Sequence, residues 1–269
     1  MLKLLKYEWK ACARICLPLY GGVLLLSLIN NLMMAEPAQQ LLYGIPTMLV
    51  SMLYFGVMVA VLVVTTVILI QRFYKSLLGD EGYLMFTLPV TVSQHIWSKA
   101  LVALVMSVLS MLAAVLSISL MAGGLGEMFE WIAAFFKSFV SAFTTDVNTV
   151  LYTLEGILWL LLLGVSGVLF IYLCMALGHL AKKHRVLMAV VWYFVLTTAM
   201  QFVLMLVLMG AGNLPFDTFW VAVTDFLRGI GPTASIHLGM VVLCVVTAAA
   251  GTAFFAGTRF ILKNRLNLE

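Results

Sequence analysis

"PTMLVSMLYFGVMVAVLVVTTVILI", residues 46–70, runs for 25 residues without one charged side chain. A helix of this length reaches across the roughly 30 Å hydrocarbon core of a bilayer, and in lipid only a helix satisfies its backbone amides within one segment. The rest of the chain is of the same kind: 64% of residues are hydrophobic and 10% charged, with a mean hydropathy of +1.13. So little polar surface cannot cover a water-soluble core. Five further apolar runs lie near 16–34, 99–122, 155–179, 186–209 and 235–258. The predicted fold is therefore all-α, a polytopic membrane protein with six transmembrane helices forming a single transmembrane domain over residues 1–269. The first run has a long apolar core with no small-residue cleavage site after it, and reads as a span instead of a signal peptide.

Charge placement predicts the orientation. Lys3, Lys6, Lys10 and Arg14 precede the first span; Arg72, Lys75 and Lys99 follow the second; Lys182, Lys183 and Arg185 follow the fourth; Arg259, Lys263 and Arg265 follow the sixth. Thirteen of the fifteen Lys and Arg thus fall on one side, with only Lys137 and Arg228 in the alternate loops. The positive-inside rule makes that side cytoplasmic and places both termini there. The net charge of +4 reports topology, and no nucleic-acid partner is expected. Of the four cysteines, Cys12 and Cys16 sit one helical turn apart near the cytoplasmic face and Cys174 and Cys244 lie within spans, so packing is expected of them and neither a disulfide nor a metal site.

In "MLKLLKYEWKACARI", residues 1–15, Leu2, Leu5, Trp9 and Ala13 recur at helical spacing, with Lys3, Lys6 and Lys10 on the other flank. This predicts an interfacial helix along the inner leaflet, its lysines toward headgroups or a partner, with Pro18 beginning the first span. On the outer side, Met128, Phe129, Ile132, Phe135, Phe136, Phe139, Val140 and Phe143 recur every three or four residues, so residues 124–150 read as an outer interfacial helix. A central Lys137 would cost about 2.5 to 3.5 kcal/mol in a crossing; a seventh crossing or a re-entrant element is the alternative. A second aromatic outer segment, residues 212–232, is too short and interrupted to span.

The charged interruption is "RFYKSLLGDEGYLMFTLPVTVSQHIWSKAL", residues 72–101. Gln71–Leu78 is expected to continue the second helix beyond the membrane, Gly79 to end it, and Asp80 to cap a short new helix that Pro89 stops. That helix carries Glu81 and the apolar Tyr83, Leu84, Met85, Phe86 and Leu88 into the cytoplasm, where such side chains imply a buried contact with a partner. Ser93 is the expected cap of the next helix, with Trp97 and Lys99 as interface anchors. Residues 72–98 thus form a cytoplasmic coupling segment.

Chemistry inside the spans is sparse. Gln201 is the most central strongly polar residue; Glu155, His179 and His237 lie near span ends and read as anchoring or helix-pairing groups. Ser166, between Gly164 and Gly167, reads as part of a small-residue contact stripe. There is no HExxH, no GxSxG, no paired carboxylates on one span and no GxxxxGK[ST] phosphate loop. No catalytic residue, metal or cofactor is expected, and any energy source must come from a partner.

With "KYEWK" near the start, six spans and above all the "DEGYLMFTLPV" block, the chain resembles the membrane (permease) subunits of type-2 ABC transporters, in their short six-span form. The resemblance implies a separate ABC ATPase subunit and a second permease copy or a related permease. It implies that residues 2–14, including Lys3, Lys6, Trp9 and Lys10, and residues 76–88, including Asp80, Glu81, Tyr83, Leu84, Phe86 and Leu88, face the ATPase. Outer hairpins within 212–232 would cap the pathway, making Phe216, Phe219 and Trp220 gate candidates; the long segment 124–150 departs from the compact exporter pattern. The expected function is export of a hydrophobic or amphipathic substrate (peptide, lipid-like molecule or drug) across a bacterial plasma membrane. The alternatives are a stand-alone secondary transporter or channel, and a non-transport sensor or anchor subunit.

Overall fold

Uncharged runs rich in Leu, Val and Met have helices as their natural spanning structure, because lipid offers no partner to an unpaired amide. In the computed structural model, which describes residues 2–34, 45–79, 90–144, 146–181, 184–213, 221, 225, 226 and 228–264 (backbone alone at 2, 3, 45–47 and 207–213), the elements are helical. They are α1 (Leu2–Met34), α2 (Ile45–Phe73), α3 (Val92–Ala142), α4 (Val147–His179), α5 (Arg185–Asn213) and α6 (Pro232–Asn264). All six are long and apolar enough to cross a membrane, and each predicted span falls inside one of them. The chain is an all-α, multi-pass membrane protein.

Four local features differ from the expected outline. Residues 2–15 are the first turns of the uninterrupted α1, with no break from the span that follows even though Pro18 lies inside. Proline removes one amide, and the surrounding turns carry the helix through. The face that turns inward also differs: Glu8, Cys12, Ala13 and Cys16 are buried whereas Trp9 is 37% exposed. Second, α2 ends in a π-helical turn, Tyr74–Leu78, with Ser76, Leu77 and Leu78 buried. Third, the cap of α3 is Thr91 in place of Ser93: Gln94 N–H donates to Thr91 Oγ1 at 3.4 Å and Thr91 N–H donates to Gln94 Oε1 at 3.2 Å, the reciprocal pairing of a capping box.

Fourth, the outer helix expected over 124–150 is divided. Its first part is the end of α3, turned at Gly124, and α4 starts already at Val147. Gly124 has φ 72°, which a Cβ disfavours, and a Cβ there would also lie 3.0 Å from Asn31 Oδ1. Asn31 Nδ2 donates to the Met121 carbonyl at 3.1 Å, so α1 partners a carbonyl just before the turn. Beyond it Phe129, Trp131, Phe135 and Phe136 are exposed.

Two compact units make up the chain: Met1–Lys75 with Pro89–Ser141, and Ser76–Leu88 with Ala142–Glu269. The first centres on Cys12, Ala13, Cys16, Tyr20, Val102 and Met106, against which Leu5, Val61, Ile68 and Leu109 pack. Hydroxyl and amide groups link its helices: Tyr20 O–H donates to the Met106 carbonyl at 3.2 Å, Ser51 Oγ donates to Asn30 Oδ1 at 3.1 Å, and Tyr54 and Ser117 share a 2.8 Å hydrogen bond. In the second unit α4 packs on both α5 and α6. The Ala189 backbone lies where a Cβ on Gly178 would go, and Ser166 Cβ lies 3.3 Å from where one on Gly251 would go, so small residues set these approaches. All four cysteines are free thiols.

Candidate functional site

Glu8 is the one acidic residue in the first 35, and the fold turns it inward. Its neighbours one and two turns on, Cys12 and Cys16, occupy the same buried face. Arg72 comes from the last turn of α2 and Lys99 from the second turn of α3. Glu8 Oε2 accepts from Arg72 Nε at 2.7 Å and Glu8 Oε1 accepts from Lys99 Nζ at 2.5 Å. The Glu8 and Lys99 side chains are 6% and 4% exposed, that of Arg72 32%. A carboxylate so enclosed is retained only with partners on its oxygens, and here each oxygen has its own cation.

The geometry gives this triad a particular reach. Arg72 precedes and Lys99 follows residues 79–91 in the sequence, and one carboxylate on α1 joins the end of α2 to the first turns of α3. Of the segment's predicted docking residues, Asp80, Glu81, Tyr83, Leu84, Phe86 and Leu88 lie outside the described residues, as do the gate candidates Phe216, Phe219 and Trp220. Along α1, the Lys3 side chain is not described, and Lys6 and Lys10 are exposed. The sequence offered Arg72 as a topology charge, Lys99 as a topology charge and interface anchor, and no role for Glu8; Lys99 is instead buried against Glu8. The available signal was a lone acid at i, i+4 spacing from Cys12 on an apolar face.

A second polar cluster joins α4 to α6. His237 Nδ1 lies 3.0 Å from both Glu155 carboxylate oxygens. Tyr152 stacks on the imidazole with centroids 4.2 Å apart and planes 20° apart, and its O–H donates to the Thr233 carbonyl at 3.1 Å. Glu155 and His237 therefore pair two helices. At the α4–α5 turn, buried His179 has Arg185 Nη1 at 3.4 Å from its Nε2. Gln201 is exposed on α5. Among the described residues no three His, Cys, Asp or Glu are grouped so as to hold a metal ion.

No protein-family model matches the chain, and neither a curated protein nor a solved structure matches it.

Proposed function

We propose that this chain is the permease subunit of an ATP-driven ABC transporter, exporting a hydrophobic or amphipathic substrate with ATP hydrolysed by a separate subunit. The observation that carries the reading is the Glu8 triad. A ligand-driven motor bound to residues 80–88 needs a stiff connection to the spans, and Arg72 and Lys99 anchor both flanks of that stretch to one buried carboxylate on α1. A displacement of residues 80–88 then moves the ends of α1, α2 and α3 together, the shear and hinge motion by which packed helices switch. The abundance of Phe and Met, 17 of each, suits an apolar cargo better than an ion or a sugar. The basic flanks support a cytoplasmic position for both termini, and the membrane of this proposal is the bacterial plasma membrane.

Purifying the full chain from its native membrane and identifying its partners by mass spectrometry tests the reading. The expected partner is a chain bearing a phosphate-binding loop, together with a second permease, identical or related. Transport by the purified chain alone in liposomes, without any ATPase, contradicts it.

A further inference from the structure

The N-terminal end of α1 has two chemically opposed sides. Glu8, Cys12 and Cys16 are buried. Lys6, Lys10 and Arg14, four residues apart and so stacked along one flank, are all exposed. Like charges at this spacing repel, and the only acid on this stretch, Glu8, is turned away and engaged by Arg72 and Lys99. The stripe thus presents three positive charges with no carboxylate of α1 beside them.

What lies beyond the stripe says what meets it. Leu17, Leu25 and Leu32 continue the same flank and are 50%, 64% and 62% exposed; in a membrane-crossing helix they face acyl chains. With 33 residues, α1 is about 50 Å long, whereas the hydrocarbon core takes roughly 20 residues. Ile15–Met34 supplies those, which leaves Lys6–Arg14 rising about 12 Å through the headgroup zone. Tyr7 and Trp9 are exposed at this level, where amphipathic rings favour the interface. The cations therefore stand directly above the lipid-facing leucines, where phosphodiesters lie.

We infer that Lys6, Lys10 and Arg14 form a binding ladder for anionic phospholipid headgroups. Arg14, nearest the apolar boundary, offers a planar fork suited to two phosphate oxygens, and the lysines add point charges farther out. The inference rests on α1 crossing a bilayer, and it gives Lys6 and Lys10 a lipid partner in place of the ATPase contact that the resemblance implies. An acidic protein surface is the competing occupant, but it has no reason to be aligned with an acyl-facing flank.

Native mass spectrometry of the purified full chain, with phosphatidylglycerol or phosphatidylcholine added, tests it without any partner. The intact chain is expected to retain phosphatidylglycerol preferentially, with binding falling about fivefold for each charge removed in Lys6→Gln, Lys10→Gln and Arg14→Gln. Lys6→Arg with Lys10→Arg keeps the preference, and Arg259→Gln with Lys263→Gln on α6, also exposed, keeps most of it. Equal retention of the two lipids by the intact chain overturns the inference. So does a triple variant that keeps its phosphatidylglycerol preference, whether or not it loses a protein partner.

Discussion

Lys99 Nζ lies 2.5 Å from Glu8 Oε1, although 91 residues separate the two in sequence. Both are buried, and the second oxygen of the same carboxylate holds Arg72. Removing Glu8 leaves a buried ammonium without its counter-charge and beside a guanidinium. Glu8→Ala is expected to destabilise the fold by about 3 to 5 kcal/mol, the range for breaking a buried ion pair from one side. Thermal unfolding in detergent checks this. Glu8→Leu with Lys99→Leu should lose less than the sum of the single changes, because the isolated charge is gone.

The turn at Gly124 offers a second test. Gly124→Ala places a Cβ at φ 72° and 3.0 Å from Asn31 Oδ1, and is expected to cost about 1 to 3 kcal/mol. Asn31→Ala removes the donor to the Met121 carbonyl, at about 0.5 to 1.5 kcal/mol. Combining them should be less than additive, since removing Asn31 also removes the clash; a double-mutant cycle on unfolding free energies measures this.

Thiol accessibility reports the packing directly. Cys12, Cys16 and Cys174 are at most 3% exposed and Cys244 is half-buried. A membrane-permeant maleimide should modify Cys244 first and reach the other three only as the chain unfolds. Intact-mass measurement after timed labelling counts the adducts, and early modification of Cys12 or Cys16 would contradict the buried face assigned to α1.

At the pair joining α4 and α6, His237→Ala should cost more stability than Tyr152→Phe. The first leaves the Glu155 carboxylate without its 3.0 Å partner, whereas the second removes one exposed hydrogen bond to Thr233, worth about 0.5 to 1.5 kcal/mol. Unfolding midpoints of the two variants in the same detergent decide the order.

The spans were legible because a run such as 46–70 contains nothing but length and hydropathy to read, and both act locally. The cap of α3 was also written in "TVSQ", but a serine at position 93 competes with the Thr91–Gln94 pairing until the helix start is seen. The Gly123–Gly124 turn was masked by the aromatic period on its far side, which continues without a gap. Glu8 was the least legible. The sequence shows a lone acid among lysines, but its partners on α2 and α3 lie 64 and 91 residues away, and only the packing of three helices brings them to it. The same holds for Asn30, Ser51, Tyr54 and Ser117, which are scattered through apolar runs and meet only in the bundle.

The central claim is that Glu8 links a partner's motor to the spans through Arg72 and Lys99. It is tested most directly by the ATPase activity of the copurified complex, measured with intact chain, with Glu8→Gln and with Tyr83→Ala plus Phe86→Ala. The account predicts that the intact chain stimulates hydrolysis, that Glu8→Gln still binds the ATPase but loses most of the stimulation, and that the Tyr83 and Phe86 changes release the ATPase altogether. Unchanged stimulation in Glu8→Gln, or an ATPase that stays bound and stimulated without Tyr83 and Phe86, would contradict it.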